Sequence, residues 1–277
     1  MRPLRQDQLR GSFAPLVTPF AHGAVDDETF VALIEWHAAQ GSHGIVVGAP
    51  SIGEPGALTT AERRRLAATA VEVAACRMEV LIATASASAS ATAELIDHAA
   101  ADGVDGVIVA LAGAPRRSAD PVAEIAELAR RTELPVLVHR DDADLSVDIR
   151  ALRKLTACAE NIVGVQQSTF DLGFVTEART TFGHEFRILA DVDEMTYFML
   201  AAGAHGCVNP IANVVPGWVA ELYYAVAKDG FDEGRSAHHR LYELNRAARA
   251  ADQPRVIKRM MSQRGLLPGD GLTPLES

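Results

Sequence analysis

Short apolar runs rich in β-forming residues alternate with longer amphipathic stretches along most of this 277-residue chain. This alternation is typical of repeated strand–helix–strand units and of a parallel sheet, because parallel neighbours need a long crossover connection. The expected strands are Phe13–Pro19, Gly44–Gly48, Val80–Thr84, Gly106–Ala110, Val136–His139, Ile162–Gln166, Phe186–Ala190 and Gly206–Asn209. The expected helices are Asp27–Gln40, Thr60–Ala75, Ala91–Ala101, Pro121–Arg131, Asp148–Ala157, Leu172–Thr181, Met195–Ala202 and Gly217–Ala227.

Eight strands in strict alternation with eight helices predict an α/β fold, a closed (β/α)8 TIM barrel. An open doubly wound sheet is the alternative, but no G-x-G-x-x-G follows the first strand and no P-loop is present. Two further helices are expected at Asp232–Ala248 and Pro254–Arg264. We therefore predict a single domain over residues 1–277, with the barrel at about 11–228 and a C-terminal helical extension at about 229–268.

The net charge restricts the class of partner, and the cysteines indicate the compartment. The net charge of −10 argues against nucleic acid and anionic membranes, since phosphate binding needs a basic surface. Cys76, Cys158 and Cys207 have neither metal-ligand nor disulfide spacing, which fits a reducing compartment. The polar N-terminus, Met1–Arg10, has no apolar core for a signal peptide, and no stretch of the chain is long enough to span a bilayer. We expect a cytoplasmic protein without a nucleic-acid or membrane partner.

Polar residues follow several of the predicted strands, where a barrel of this kind places its binding site. His139, at the end of the fifth strand, is the candidate catalytic residue, because an imidazole serves as a general acid or base near neutral pH. The alternative is a histidine that only makes structural hydrogen bonds. The candidate substrate-binding residues are Ser51, Gln166, Asp191, Arg140 and Asn209.

Two of these candidates have a second interpretation. Arg140 either anchors a carboxylate or points out of the barrel, since neighbours on a strand alternate sides. Asp191 either orients or charge-stabilises His139, or joins it in holding a cation with Asp141 or Asp142. No H-x-H or D-x-D-x-D spacing supports a metal. We predict neither a metal nor a cofactor.

The order of several segments resembles that of a known family. The stretches "GSFAPLVTPF", "GIVVGAPSIGEPGALTTAERRRL", "LPVLVHR", "NIVGVQQSTFDL" and "AAGAHGCVNPIANVVP" resemble, in this order, the first strand, the second strand with its loop, and the fifth, sixth and eighth strands of the dihydrodipicolinate synthase and N-acetylneuraminate lyase family. These are pyruvate-handling aldolases, and the resemblance covers about residues 11–268. It implies the same barrel, with a site at the carboxyl ends of the strands.

The residues that the resemblance assigns to the family's chemistry are replaced. The lysine that forms a Schiff base with pyruvate falls on Gln166, whose amide is not a nucleophile. The tyrosine that shuttles protons, the carboxylate-binding arginine and the paired tyrosines after the fourth strand fall on His139, Asp144, Leu111 and Ala112. The only lysines, Lys154, Lys228 and Lys258, lie in helices that we expect to point away from the barrel mouth. Schiff-base chemistry is therefore not expected.

Two functions remain open at this point. The first is a diverged lyase-type enzyme that binds a small oxygen-rich metabolite of the oxo- or hydroxy-acid type, with His139 as the acid–base group and Gln166 and Ser51 holding the substrate. The alternative is a non-catalytic homologue that binds a metabolite or serves as a structural partner, for instance of an active paralogue. The resemblance also implies a homo-oligomer, a dimer or a tetramer.

Overall fold

The protein, represented by a computed structural model, is described over residues 9–50, 52–86, 88–110, 120–141, 147–249 and 252–268. Within these ranges, eight parallel strands close into a barrel, in which the first barrel strand pairs with both the second and the last. This confirms the predicted (β/α)8 TIM barrel and excludes the open sheet. The barrel strands are β1 Gly11–Pro15, β4 Gly44–Val47, β5 Glu79–Ala83, β6 Gly106–Val109, β7 Val136–Arg140, β8 Ile162–Gln167, β9 Arg187–Ala190 and β10 Gly206–Val208.

Helices follow the strands in the predicted order and cover the outside of the barrel. The α-helices are α1 Asp27–Ala39, α2 Thr60–Ala74, α3 Ala89–Ala99, α4 Pro121–Ala129, α5 Ile149–Cys158, α6 Leu172–Phe182, α7 Thr196–Ala201, α8 Pro216–Ala227, α9 Phe231–Ala248 and α10 Gln253–Gln263. The large apolar core lies between them and the strands, while a smaller cluster that includes Phe13, Leu137 and Leu189 fills the barrel interior. Among the described residues, no helix has the length and apolar character needed to cross a membrane.

Helix starts follow local capping chemistry. Thr59 accepts a hydrogen bond from the backbone N–H of Glu62, and the Glu62 carboxylate accepts one from the Thr59 backbone, so α2 begins with a capping box. Asp120 caps α4 just before a proline in the first turn. Both starts are where the sequence predicts them.

The chain departs from the prediction near its first strand. That strand is Gly11–Pro15 rather than Phe13–Pro19, because the backbone N–H of Val17 donates to the side chain of Asn213 instead of to a neighbouring strand. A short antiparallel hairpin, β2 Phe20–Ala21 with β3 Ala24–Val25, follows and was not predicted. The differences at the other elements are of one to a few residues at their ends, the usual uncertainty of such boundaries.

Strand β8 contains one irregular step in its pairing with β7. Val136 pairs with Ile162 and Leu137 with Gly164, so Val163 is an extra residue. Val163 faces the barrel interior, while Val165 belongs to the outer core. Regular alternation from Val163 would turn residues 165 and 167 inward. The bulge instead turns Gln166 inward.

Position 164 of this bulge requires glycine, because there is no space for a side chain. A Cβ at Gly164 would lie 2.2 Å from the backbone oxygen of Arg187 and 2.7 Å from the Leu137 side chain. The first of these atoms belongs to the neighbouring strand and cannot move without shifting it.

The C-terminal extension packs on the barrel, and it corrects one expectation. Lys258 of α10 is fully buried and forms an ion pair with Glu54, in the loop that follows β4. Its ammonium also lies 4.8 Å from the centre of the Phe20 ring. The prediction that Lys258 points away from the barrel mouth was wrong, because the apolar face of α10 is turned towards the loops at that end of the barrel. Lys154 and Lys228 are exposed.

We predict that Gly164→Ala lowers the free energy of unfolding by about 1–3 kcal/mol or more, since overpacking next to backbone forces the strands apart. Gly56→Ala is the matched control, because a Cβ there meets nothing within 4 Å. Urea unfolding of both variants measures the difference. Equal stability of the two variants would show that β8 absorbs the methyl group and that the bulge does not depend on glycine.

Candidate active site

A pocket of about 470 Å³ opens at the carboxyl ends of the barrel strands. Residues from the strand ends, from the turn after β9 and from the C-terminal extension line it. They are Pro15, Ala49, Pro50, His139, Asp141, Gln166, Ser168, Phe170, Asp191, Val192, Asp193, Glu194, Pro210, Arg249 and Gln253. The pocket thus lies where the barrel fold predicts a site.

The structure brings three of the predicted site residues together. His139 and Gln166 lie opposite each other in the pairing of β7 with β8, and Asp191 directly follows β9. All three line the pocket. Ser51, like Leu111, Ala112, Asp142 and Asp144, lies outside the described residues.

Arg140 does not reach the pocket. It is buried on the outer side of β7, where it donates hydrogen bonds to the Val147 carbonyl, to Gln167 and to Thr169 at 2.8–3.1 Å. Its guanidinium also lies 4.2 Å from the centre of the Phe174 ring. The interpretation of Arg140 as a carboxylate anchor is thereby corrected, because strand alternation turns it away from His139. Arg140 and Gln167 instead hold the loop that leads to α6.

Asn209 is also engaged elsewhere. It is fully buried, its side-chain oxygen accepts a hydrogen bond from the backbone N–H of Ile211 at 3.0 Å, and its amide nitrogen donates to Thr196 at 3.3 Å. It is not among the described residues that line the pocket. Its position fixes the turn after β10 rather than a ligand.

A chain of hydrogen bonds connects the polar groups on the pocket floor. The Ser168 hydroxyl lies 2.9 Å from Nε2 of His139 and donates to Oδ2 of Asp191 at 2.6 Å. Nε2 of Gln166 donates to the same Asp191 oxygen at 2.8 Å. His139 and Asp191 themselves lie 3.9 Å apart, between Nε2 and Oδ2, so Ser168 bridges them.

The bridge determines which His139 nitrogen carries the proton. While Asp191 is ionised it can only accept, so the single hydrogen of the Ser168 hydroxyl goes to Asp191 and Ser168 accepts from Nε2–H of the imidazole. In the neutral ring Nδ1 then has a lone pair without a hydrogen-bond partner among the described residues, 3.8 Å from the nearest carboxylate oxygen of Asp141. Gln166 donates through its nitrogen, which leaves its amide oxygen as an acceptor. The floor therefore presents acceptors to a ligand.

Burial shifts the pKa values of both ends of this chain. Burial lowers the pKa of His139, and the negative charge of Asp141 opposes that shift, so the imidazole is neutral at pH 7. Burial raises the pKa of Asp191 to about 7, although the hydrogen bonds from Ser168 and Gln166 favour the ionised form. The result is a carboxyl group that both takes up and releases a proton near neutral pH.

Sequence reasoning did not find Ser168 or Arg249. Ser168 lies two residues beyond Gln166, so strand alternation extended past the strand end would have placed it inward. Arg249 comes from the C-terminal extension, where its Nη1 lies 3.2 Å from a Glu194 oxygen and its guanidinium 4.8 Å from the Phe170 ring centre. No local pattern in the sequence signals that contact.

Two types of reactive group are missing from the described part of this site. No lysine lines the pocket within the ranges that the structure describes. Nor do three His, Cys, Asp or Glu side chains converge there, or elsewhere in those ranges, in a way that could hold a metal ion. The chemistry that the described residues offer is proton transfer between His139, Ser168 and Asp191.

The fold and the pocket define a (β/α)8-barrel protein whose polar site lies at the carboxyl ends of the strands. Comparison with known proteins gives the family: the model of the dihydrodipicolinate synthetase family matches residues 8–277. The chain belongs to this family.

Similar proteins agree with this assignment over nearly the whole chain. A 4-hydroxy-tetrahydrodipicolinate synthase of Phenylobacterium zucineum is 33% identical over 270 residues, which cover 96% of this chain and 91% of that protein. The enzyme of the same name from Thermus thermophilus is 30% identical, with 96% and 90% covered. The crystal structure of dihydrodipicolinate synthase from Aquifex aeolicus superimposes with a TM-score of 0.90 at 27% identity and covers 97% of this chain and 92% of its own.

We predict that Asp191→Asn changes stability in a pH-dependent way. The folded-state pKa of about 7 lies above the ordinary value of 3.8, so between these values the folded protein keeps a proton that the unfolded chain has released. The stability that this carboxyl contributes is therefore full below its unfolded pKa and is lost as the pH rises through about 7.

Urea unfolding of wild type and Asp191→Asn from about pH 5 to pH 8 measures this. The wild type should lose stability relative to the variant up to about pH 7 and hold a constant difference above it. A difference that does not change with pH would show that Asp191 ionises at its ordinary value.

Proposed function

We propose that this protein is a diverged lyase-type enzyme that binds a small oxygen-rich metabolite at the barrel mouth and transfers protons without a Schiff base. The observation that carries the proposal is the hydrogen-bonded chain from His139 through Ser168 to Asp191, which ends next to Gln166. Simple loss of a site would leave apolar residues there, since buried polar groups without partners cost about 1–3 kcal/mol each.

The residue at position 166 supports the proposal that proton transfer takes place without a Schiff base. By resemblance it corresponds to the family's Schiff-base lysine, and an amide nitrogen does not form an iminium with a ketone. Of the chain's lysines, Lys154 and Lys228 are exposed and Lys258 is paired with Glu54. Catalysis at this pocket therefore depends on general acid–base groups.

The proton path follows from the assigned hydrogens. Nδ1 of His139 takes a proton from the ligand, the Nε2 proton passes to the Ser168 oxygen, and the Ser168 proton passes to Asp191. At the end His139 is neutral again, in its other tautomer, and Asp191 is protonated. A pKa of about 7 makes Asp191 a suitable acceptor at neutral pH, and reversal of the path returns the proton.

The ligand that the sequence predicts is of the oxo- or hydroxy-acid type. A hydroxyl group would donate to Nδ1 of His139 or to the Gln166 amide oxygen. Arg249 is the guanidinium in the described lining that would take a carboxylate, provided that it releases Glu194. The predicted homo-oligomer, a dimer or a tetramer, remains a prediction, since the loop at residues 111–115 lies outside the described residues.

We predict that pyruvate and borohydride leave no covalent adduct on the protein, because position 166 carries an amide. Intact mass spectrometry measures this, with the same treatment in the absence of pyruvate as the control. A reduced pyruvyl adduct, mapped to one of the three lysines, would contradict the proposal and identify the amine that replaces residue 166.

We also predict that ligand binding depends on His139 and Gln166 together. Calorimetry on a ligand found by screening small hydroxy- and oxo-acids should show His139→Ala and Gln166→Ala each weakening binding by about 1–3 kcal/mol, because each removes a hydrogen-bond partner of a buried ligand group. Lys154→Ala is the control, since this lysine is exposed on α5.

Unchanged affinity in both site variants would place the ligand elsewhere. The non-catalytic homologue, a metabolite-binding or structural partner subunit, would then be the better description of the protein.

A further inference from the structure

The pocket has two unlike sides, which come from opposite parts of the barrel mouth. The polar groups of its floor lie at the ends of the neighbouring strands β7, β8 and β9. In the closed ring of eight strands, β1 lies opposite β7 and β4 lies opposite β8. An apolar wall lies at the ends of β1, β4 and β10, and it consists of Pro15, Ala49, Pro50 and Pro210.

The backbone of this apolar wall offers few hydrogen-bonding groups to a ligand. Proline has no backbone N–H, and the carbonyls of Pro15 and Pro210 accept hydrogen bonds from the buried side chain of Asn213 at 2.7 and 3.0 Å. The carbonyl of Ala49 accepts from the backbone N–H of Gly53 at 2.8 Å. The wall therefore presents chiefly carbon atoms and leaves hydrogen bonding to the floor.

Phe170 extends the apolar surface to the mouth of the pocket. It lies in the loop between β8 and α6, lines the pocket and is 46% exposed, even though the Arg249 guanidinium lies 4.8 Å from its ring centre. Ligand pockets are lined mostly by apolar and aromatic side chains, with a few polar groups that orient the ligand. The apolar wall, Phe170 and the floor together match that description, so the ligand should combine an apolar body with a polar end.

We infer that the ligand of this pocket carries a phenol group, whose ring contacts the apolar wall and Phe170 and whose hydroxyl donates to His139 or Gln166. The inference rests on the proposed function, since it names the class of ligand at the same site. Nδ1 of His139 and the amide oxygen of Gln166 are acceptors without a hydrogen-bond partner among the described residues. Contact between two aromatic rings adds to the gain from burial of apolar area, which favours a flat aromatic ring over an aliphatic body.

The acidity of a phenol also suits the proton path. A phenol has a pKa of about 10, as tyrosine does, whereas water, which an aliphatic hydroxyl resembles, has a pKa of about 15.7. In the proposed path His139 takes the proton of the ligand, and Asp191, whose pKa burial raises to about 7, receives the proton of Ser168. Because a proton donor of lower pKa makes this transfer easier, an aromatic hydroxyl is the better substrate for these residues.

Three small molecules separate the contribution of the ring from that of the hydroxyl group. 4-Methylphenol has both, its isomer anisole has the ring without an O–H donor, and 4-methylcyclohexanol has the hydroxyl on a ring that is not aromatic. NMR titration of the whole protein at pH 7 should show 4-methylphenol binding at least about fivefold more tightly than each of the others, a difference of about 1 kcal/mol.

Two exposed phenylalanines provide a matched pair of variants. Phe170→Leu keeps an apolar side chain at the pocket but removes the aromatic ring, so it should weaken binding of 4-methylphenol about threefold and leave that of 4-methylcyclohexanol nearly unchanged. Phe231→Leu is the control, because Phe231 is 45% exposed at the start of α9 and is not among the described residues that line the pocket.

The wild type alone is enough to overturn the inference. Affinity for 4-methylphenol that equals the affinity for 4-methylcyclohexanol or for anisole would do so, and so would the absence of saturable binding of 4-methylphenol. Equal effects of Phe170→Leu and Phe231→Leu would also overturn it, since the ring of Phe170 would then have no specific contact with the ligand.

The outcomes separate this inference from the proposed function. Binding of 4-methylcyclohexanol that is as tight as that of 4-methylphenol, and that weakens in His139→Ala, would leave the proposed site in place and remove the aromatic ring. Binding of both compounds that is insensitive to His139→Ala would overturn both.

Discussion

The pairing of β7 with β8 determines which side chains meet in the pocket. One extra residue at Val163 reverses the alternation of β8, so that Gln166 faces inward and Gln167 outward. Each glutamine then meets the β7 residue on its own side of the sheet. Gln167 binds Arg140 in the wall of the barrel, and Gln166 reaches Asp191 next to His139. A regular strand would have exchanged the two sets of neighbours.

The electrostatic consequence of that arrangement is a shift in the pKa of Asp191, which is buried there. The carboxylate accepts two hydrogen bonds on one oxygen, from Ser168 and Gln166, but burial and the charge of Asp141 outweigh them and raise its pKa to about 7. A group in this state exchanges a proton with its neighbours at little cost near neutral pH. Ser168 provides the contact, since His139 and Asp191 are 3.9 Å apart.

The sequence predicts the barrel because the patterns that indicate its strands and helices are local and recur along the chain. Strand and helix periodicity recurs eight times, and the barrel follows from the count. The same rule places His139, Gln166 and Asp191 at strand ends. It does not show that a bulge precedes Gln166, since the bulge depends on the space between β7 and β9 around Gly164. Contacts between distant segments are likewise invisible in a single sequence, as with Lys258 against Glu54 and Arg249 against Glu194.

By resemblance, Gln166 stands where the family has its Schiff-base lysine, and under the proposed function such an exchange concerns more than a lost nucleophile. A lysine at this place would bring an ammonium group near Asp191, to whose Oδ2 the amide nitrogen of Gln166 now donates at 2.8 Å. A positive charge so close would lower the pKa of Asp191 and keep it ionised at neutral pH. Asp191 would then hold a fixed negative charge and would no longer release and take up the proton that Ser168 carries. The neutral amide and the protonatable acid therefore depend on each other. Under the proposed function, residue 166 determines whether such a barrel works through a covalent amine or through a path of protons.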